Sequence, residues 1–183
     1  MRAAAFRLLL AARSRAHSAA AVVARRRLAL AVFVVVLAPA EASGVFYNRA
    51  ELKAAVDGFP GSESTHGSIS GWDVSRVDDL SNVFLSKTTF NEPLNWDTSQ
   101  VTTMEDTFIY AASFNQPLVW DTSKVATMYR TLHHADAFNS ELAWDTSSVT
   151  SMDGTFSGAK AFNRPLDWDT SQVTNMGGTF YNA

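Results

Sequence analysis

The side chains best suited to chemistry are an aspartate and a serine that recur together along the second half of the chain. A serine follows each of five aspartates by two positions, and the aspartates are Asp73, Asp97, Asp121, Asp145 and Asp169. Stacked carboxylates suit Ca²⁺, which takes six to eight oxygen ligands. The same residues also suit helix capping, where a carboxylate meets the positive end of the helix dipole. We expect capping, with calcium binding as the alternative, because scaffold residues recur in every unit and catalytic triads do not.

The remaining reactive residues are few. The four histidines are His17, His66, His133 and His134, and the last two form a pair that interrupts one unit only. We interpret this pair as neutral surface variation. The chain has no cysteine, which excludes disulfides, thiol catalysis and cysteine zinc sites. It also lacks an HExxH motif, a glycine-rich phosphate loop and a nucleophile elbow. The sequence therefore predicts no enzyme, no metal site and no cofactor.

A 24-residue repeat, each unit of which is referred to below as a coil, organises these residues. The five tryptophans mark it, at Trp72, Trp96, Trp120, Trp144 and Trp168. A period of this length is typical of solenoids, propellers or arrays. A repeated asparagine, at Asn91, Asn115, Asn139 and Asn163, is expected to satisfy backbone groups in the neighbouring coil.

Each coil is predicted to hold one short parallel strand and one short helix. Val101, Met104 and Phe108 recur at i, i+3 and i+7, which favours a helix of about three turns. Leu94 and Trp96 alternate with a polar residue, which favours a strand with both apolar side chains inside. We therefore expect the tryptophans to form a structural core ladder. The alternative is an exposed platform that stacks on sugars.

The repeat resembles that of the BspA-like leucine-rich-repeat surface proteins. The resemblance is carried by segments such as Phe90-Asn91-Glu92-Pro93-Leu94-Asn95-Trp96-Asp97-Thr98-Ser99 and by the pattern W-D-T-S-x-V-T-x-M, and it covers about residues 69–183. It implies a right-handed, curved α/β repeat solenoid of leucine-rich-repeat type with a binding role and no catalytic residues. One departure is visible: the family commonly has one more residue between the apolar strand position and tryptophan, and only the first coil (Ile69-Ser70-Gly71-Trp72) keeps it.

Three segments divide the chain. Residues 1–42 combine seven arginines with an apolar run, Leu28–Leu37, and small residues around Ala40 and Ala42, a pattern typical of a secretory signal peptide. The alternatives are a membrane anchor formed by residues 28–42 and an organelle transit peptide. Residues 43–68 predict a capping helix and linker, with Asn48 and Glu51 as a capping box and Gly58 in a left-handed conformation at the helix end. The solenoid occupies residues 69–183, and its last coil is incomplete.

Charge and variation between coils indicate the partners. The part after Ala42 holds 17 of the 18 acidic residues and 8 of the 15 basic ones, which argues against nucleic acid as a partner. Positions beside the predicted strand do not repeat, and we expect them to form a binding face on a secreted or cell-surface module that takes protein or carbohydrate. They are Glu92, Asn95, Gln116, Val119, Ser140, Ala143, Arg164 and Asp167. The alternative is a structural wall or matrix array without a ligand, with self-association through an uncapped C-terminal coil.

Overall fold

Two helices precede the repeats. A computed structural model of the protein describes residues 44–183, and the signal peptide or anchor predicted for residues 1–42 lies outside the described residues. Helix α1 spans Arg49–Asp57, helix α2 spans Glu63–His66, and a 3-10 helix spans Ile69–Gly71. Within residues 44–183, no helix has both the length and the apolar character that crossing a bilayer requires.

Helix α1 begins at the predicted capping box. The Asn48 side chain accepts a hydrogen bond from the Glu51 backbone N–H at 3.0 Å, and the Glu51 carboxylate accepts one from the Tyr47 N–H at 3.0 Å. The predicted end is wrong in conformation, because Gly58 has a φ of −81° and is right-handed. Its N–H still donates to the Ala54 carbonyl, so the chain leaves α1 through a further right-handed turn. The linker predicted between this helix and residue 69 contains α2.

Helix α1 packs against the first coil. Leu52, Ala55 and Val56 are buried and share one apolar core with the coils. Ion pairs hold both ends of the helix, with Arg49 Nε 3.1 Å from an Asp79 carboxylate oxygen and Lys87 Nζ 3.1 Å from an Asp57 carboxylate oxygen (Arg49 and Asp57 belong to α1). The helix therefore covers apolar side chains that a first coil would otherwise expose to water.

Successive coils stack in parallel, with residues 24 apart side by side. Parallel bridges connect Asp79, Thr103, Thr127, Ser151 and Asn175 in that order. Backbone hydrogen bonds extend this contact: the Leu80 N–H donates to the Thr103 carbonyl at 3.1 Å, and the Phe84 N–H donates to the Thr107 carbonyl at 2.8 Å. We refer to this line of contacts between coils as the backbone ladder.

The predicted helix of each coil is replaced by a chain of turns. Among the described residues, all helices lie before Trp72. In the segment of each coil that was predicted as a helix, every second N–H donates to a carbonyl of the next coil. Only the N–H groups in between remain for turns within the coil; for example, the Thr107 N–H donates to the Met104 carbonyl at 3.2 Å. Two in-phase positions are left-handed in every coil, and they are Asn82, Asp106, Arg130, Gly154 and Gly178, and Ser86, Tyr110, His134, Gly158 and Asn182. A left-handed third residue is the mark of a type II turn.

The segment predicted as a strand has the alternating burial of one, but among the described residues it forms no backbone bridge to the neighbouring coils. Leu94 and Trp96 are buried and Asn95 between them is exposed, as the alternation predicts. Coils are farther apart here than at the backbone ladder: ring centroids of Trp96 and Trp120 are 6.1 Å apart, whereas those of Phe84 and Phe108 are 4.9 Å apart. The spacing of these tryptophan rings exceeds the roughly 4.8 Å between paired strands, and the bridges among the described residues all lie elsewhere. The stack therefore fans out toward this side, which we refer to as the extended-segment face.

Side chains connect the coils on the extended-segment face. Trp72, Trp96, Trp120 and Trp144 are buried and Trp168 is half-buried. The indole N–H of Trp120 donates to the Leu94 carbonyl at 3.3 Å, one coil back. The asparagine prediction is confirmed, because Asn91 Oδ1 accepts from the Asn115 N–H at 2.8 Å and Asn115 Oδ1 accepts from the Asn139 N–H at 2.7 Å.

Candidate interaction surface

The predicted binding residues form two in-phase rows on the extended-segment face. The first row is Glu92, Gln116, Ser140 and Arg164, and the second is Asn95, Val119, Ala143 and Asp167. Gln116 and Ser140 are half-buried and the other six are exposed. Val119 is 91% exposed, the highest value among the large apolar residues of the described chain. The pattern of variation in the sequence therefore falls on accessible surface.

Two adjoining grooves lie on either side of Val119. One has a volume of about 630 Å³ and brings together Val119, Ser140, Ala143 and Arg164, along with Pro117 and Glu141. The other has a volume of about 500 Å³ and is bordered by Asn95, Gln116 and Val119, with Pro93 and Pro117. Six of the eight predicted residues thus border the grooves, while Glu92 and Asp167 lie outside both.

The asparagine turns orient three residues of the first row. Gln116 Nε2 donates to the Asn91 carbonyl at 3.0 Å, and Ser140 Oγ donates to the Asn115 carbonyl at 3.1 Å. Arg164 Nε donates to the Asn139 carbonyl at 2.7 Å. Each side chain therefore donates to a backbone carbonyl of the preceding coil, although the residue type changes from coil to coil.

Comparison with known sequences identifies a family for this chain. Residues 51–143 and 118–183 each match the family model described as "Mycoplasma protein of unknown function, DUF285". The two matches overlap and together span residues 51–183, more than half of the chain. The chain belongs to the DUF285 family. No curated protein and no solved structure matches it.

In these DUF285 coils the repeated aspartates start turns and do not cap helices. The Asp97 carboxylate accepts from the Ser99 N–H at 3.0 Å, and the Asp121 carboxylate accepts from the Ser123 N–H at 3.0 Å and from the Ser123 hydroxyl at 2.7 Å. The serine hydroxyl and N–H lower the pKa of Asp121, because they stabilise the charged carboxylate. The helix-capping prediction is corrected to an Asx turn, since no helix follows. Residues 44–183 contain no group of three or more histidines and acidic residues placed to hold a metal ion.

The histidine pair belongs to a second non-repeating cluster of the DUF285 stack, near the backbone ladder. The His134 ring stacks on the Tyr110 ring at a centroid distance of 5.3 Å, and the rings of His133 and His134 are 4.6 Å apart. The next coil has Gly158 in phase with His134, and a Cβ there would lie 2.5 Å from the His134 ring. The glycine therefore makes room for the histidine. Burial, followed by the charges of His134 and an adjacent arginine, lowers the pKa of His133.

Sequence reasoning missed three residues of these surfaces. Pro117 and Glu141 border the larger groove, and Tyr110 completes the aromatic cluster. Tyr110 could have been found from the sequence, because this position of the repeat varies: the in-phase residues of the other coils are a serine, a histidine, a glycine and an asparagine. Glu141 carries a signal of the same kind, because the residues in phase with it, Pro93, Pro117 and Pro165, are all prolines.

Proposed function

We propose that this DUF285 protein is an interaction module that binds a protein or glycan at a cell surface or in an extracellular matrix through its extended-segment face. The observation that carries the proposal is the coincidence of two independent patterns. Six of the eight predicted positions that vary between coils border the two grooves around Val119. The residues that repeat are turned inward or engaged in turns, so variation in the grooves leaves the stack intact.

The proposed architecture is a curved leucine-rich-repeat-like solenoid of the BspA-like surface-protein type. It is supported by the parallel bridges between residues 24 apart and by the wider coil spacing on the extended-segment face. In this proposal, a chain of turns takes the place of the usual helix. The grooves then lie on the outer, convex side of the curve and the backbone ladder lies on the inner side.

Binding without catalysis is part of the proposal. The aspartates and serines that recur in the coils hydrogen-bond to each other in Asx turns, which occupies the groups a hydrolase would use. The proposal would be overturned if the protein hydrolysed a glycan or peptide and if a substitution of Asp121 abolished that activity without changing the melting temperature.

Export to the cell surface rests on the leader sequence. Arginines followed by the apolar run Leu28–Leu37 and by small residues support a cleaved signal peptide. A fusion of residues 1–45 to a reporter, with fractionation and N-terminal sequencing of the product, tests this step. We expect secreted reporter cleaved near Ala42, whereas uncut reporter in the membrane or reporter in an organelle matrix would contradict export by cleavage.

A photo-crosslinking amino acid tests the interaction face. It is placed at Val119 of the full chain, and a matched control carries it at Ala126, which is exposed and borders neither groove. We expect adducts with a protein or glycan of the cell surface from position 119 and none from position 126. Ala143→Trp in the position-119 variant fills the larger groove and should weaken the adduct. Equal labelling from both positions would count against this face.

A structural array is the second candidate function. It is favoured by the apolar side chains that the last described coil leaves accessible, with Met176 48%, Phe180 50% and Tyr181 68% exposed. Light scattering of the full chain over a range of concentrations tests it. An array predicts growing assemblies that Phe180→Asp disrupts, whereas a particle mass that does not change with concentration would speak against it.

A further inference from the structure

We infer that the larger groove beside Val119 binds an extended acidic peptide, in which an aliphatic side chain contacts Val119 and a carboxylate pairs with Arg164. This inference rests on the proposed function and names its ligand class. Four features of the described residues support it: the shape of the groove, the state of the arginine, the apolar ridge, and the distance between the last two.

The groove exists because one coil has small residues where both of its neighbours have larger ones. Ser140 lies in phase between Gln116 and Arg164, and Ala143 lies in phase between Val119 and Asp167. Side chains that stack in register leave a notch wherever a short one falls between longer ones. The notch opens to solvent on the extended-segment face and has a volume of about 630 Å³, enough for several side chains of a ligand.

Arg164 provides a positioned positive charge at one end of the notch. Its Nε donates to the Asn139 carbonyl at 2.7 Å, which fixes the base of the guanidinium. Among the ion pairs of residues 44–183 none involves Arg164, whereas Arg49 and Arg130 are each paired with an aspartate. The terminal NH₂ groups are therefore available to a ligand. A planar guanidinium binds a carboxylate through two parallel hydrogen bonds, and prior orientation lowers the entropy lost on binding.

Val119 provides the apolar contact at the other end. Its side chain is 91% exposed and stands between the two grooves, with the exposed Pro117 beside it. An aliphatic ligand side chain laid against these residues removes apolar surface from water on both partners. Each square ångström of that surface contributes roughly 25 cal/mol.

The distance between the two anchors favours a peptide. The ring centroids of Trp96 and Trp120 are 6.1 Å apart and those of Trp144 and Trp168 are 6.0 Å apart. Arg164 lies two coils beyond Val119, and its side chain reaches back by one coil. Along the extended segment the two rows are offset by three residues, or roughly 10 Å. The anchors are thus roughly 12–15 Å apart, which is about four residues of an extended peptide at about 3.3 Å per residue. Glu141 and Asp121 also line the groove and disfavour a ligand that is anionic along its whole length, such as a polyuronate.

Peptides of defined spacing test the inference. The probes are blocked glycine–serine peptides with one leucine and one aspartate two, four or six positions apart, titrated into the full chain and followed by NMR shifts of the Val119 and Ala143 amides. We expect the four-position peptide to bind best and its asparagine counterpart to bind about tenfold more weakly. Arg164→Gln should remove that difference and is expected to fold, because coil two has Gln116 in phase with the same backbone contact. Lys124→Gln, an exposed charge outside both grooves, is the control and should retain it.

Three results would overturn the inference. They are absence of peptide binding at every spacing, an aspartate preference that survives Arg164→Gln, and binding of polygalacturonate that depends on Arg164 while the peptides do not bind. If crosslinked adducts still form at position 119 in those cases, the interaction face stands and only the acidic peptide is excluded. If no adducts form either, the proposed function fails as well.

Discussion

Replacing Gly154 with alanine tests how the left-handed positions are built. Gly154 has a φ of 65°, and a Cβ there would lie 2.9 Å from Arg130 Cγ, whose guanidinium pairs with Asp106 at 3.0 Å. Gly178 is in phase with a φ of 61°, but its nearest neighbour would be 3.8 Å away. An alanine in this conformation costs about 1–2 kcal/mol, and overpacking adds about 1–3 kcal/mol more. We therefore expect about 1–2 kcal/mol for Gly178→Ala and about 2–5 kcal/mol for Gly154→Ala.

The assay is urea unfolding followed by tryptophan fluorescence, with both alanine variants made also in an Arg130→Ala background. Removing the Arg130 side chain removes the atom that the new Cβ would strike. The excess cost of Gly154→Ala over Gly178→Ala should then disappear, while the shared cost of the left-handed φ remains. The reasoning would be refuted if Gly154→Ala cost no more unfolding free energy than Gly178→Ala in the parent protein. It would also be refuted if the larger cost of Gly154→Ala persisted in the Arg130→Ala background.

Three further perturbations test the contacts between coils. Trp96→Phe removes the indole N–H that donates to the Ile69 carbonyl at 2.8 Å and should lower the free energy of unfolding by about 1–3 kcal/mol, as measured by thermal melting. Trp168→Phe should cost less, because the Trp168 indole N–H has no partner in the described residues. Asn115→Ala removes the acceptor for a backbone N–H of the next coil and should cost about 1–2 kcal/mol in urea unfolding, whereas Asn115→Asp keeps an acceptor; equal losses would contradict the role of the oxygen. Burial lowers the pKa of His133 below its ordinary 6.5, so the unfolded chain binds the proton first and the free energy of unfolding should fall as the pH drops from about 7 to about 5. His133→Gln should flatten that slope in unfolding curves at several pH values, and an unchanged slope would assign it to other groups.

The period and phase of the repeat could be predicted from the sequence because burial follows residue type. Leu94 and Trp96 point inward and Asn95 outward, as their alternation requires, and the repeated asparagines bridge coils. These features depend on a single comparison, that of residues 24 apart.

The helix was predicted for a physical reason that turns out to be ambiguous. Spacings of three and four between Val101, Met104 and Phe108 fit one face of a helix, but they also fit a chain of turns whose alternate N–H groups donate to the next coil. The distinguishing signal lay in other coils, where Gly154 and Gly158 occupy the phases of the two left-handed residues. Glycine adopts that conformation without a steric cost. Comparing glycines by phase would have predicted turns.

The candidate site was predicted in part. Variation between coils located Val119 and Arg164, because scaffold positions are held constant by packing while the exposed ones are free to change. Pro117 is in phase with Pro93 and Pro165, so variation between coils did not select it, yet it borders both grooves. The groove itself depends on side-chain volumes in three consecutive coils, Ser140 and Ala143 being the small ones. Its depth is a property of the stack and not of any one position.

Paired cysteines test the register of the stack most directly, and every feature described above depends on that register. The chain has no cysteine of its own, so each introduced pair reports alone. Thr103 and Thr127 are bridged in parallel, and side-by-side positions in neighbouring strands suit the Cα separation of a disulfide, about 4.4–6.8 Å. We predict rapid disulfide formation on mild oxidation when both are cysteine, and little when Thr103 is paired instead with Ala126 or with Ser151, two coils away. Faster crosslinking of the Thr103 and Ala126 pair would show that the coils are out of register by one residue and would contradict the account.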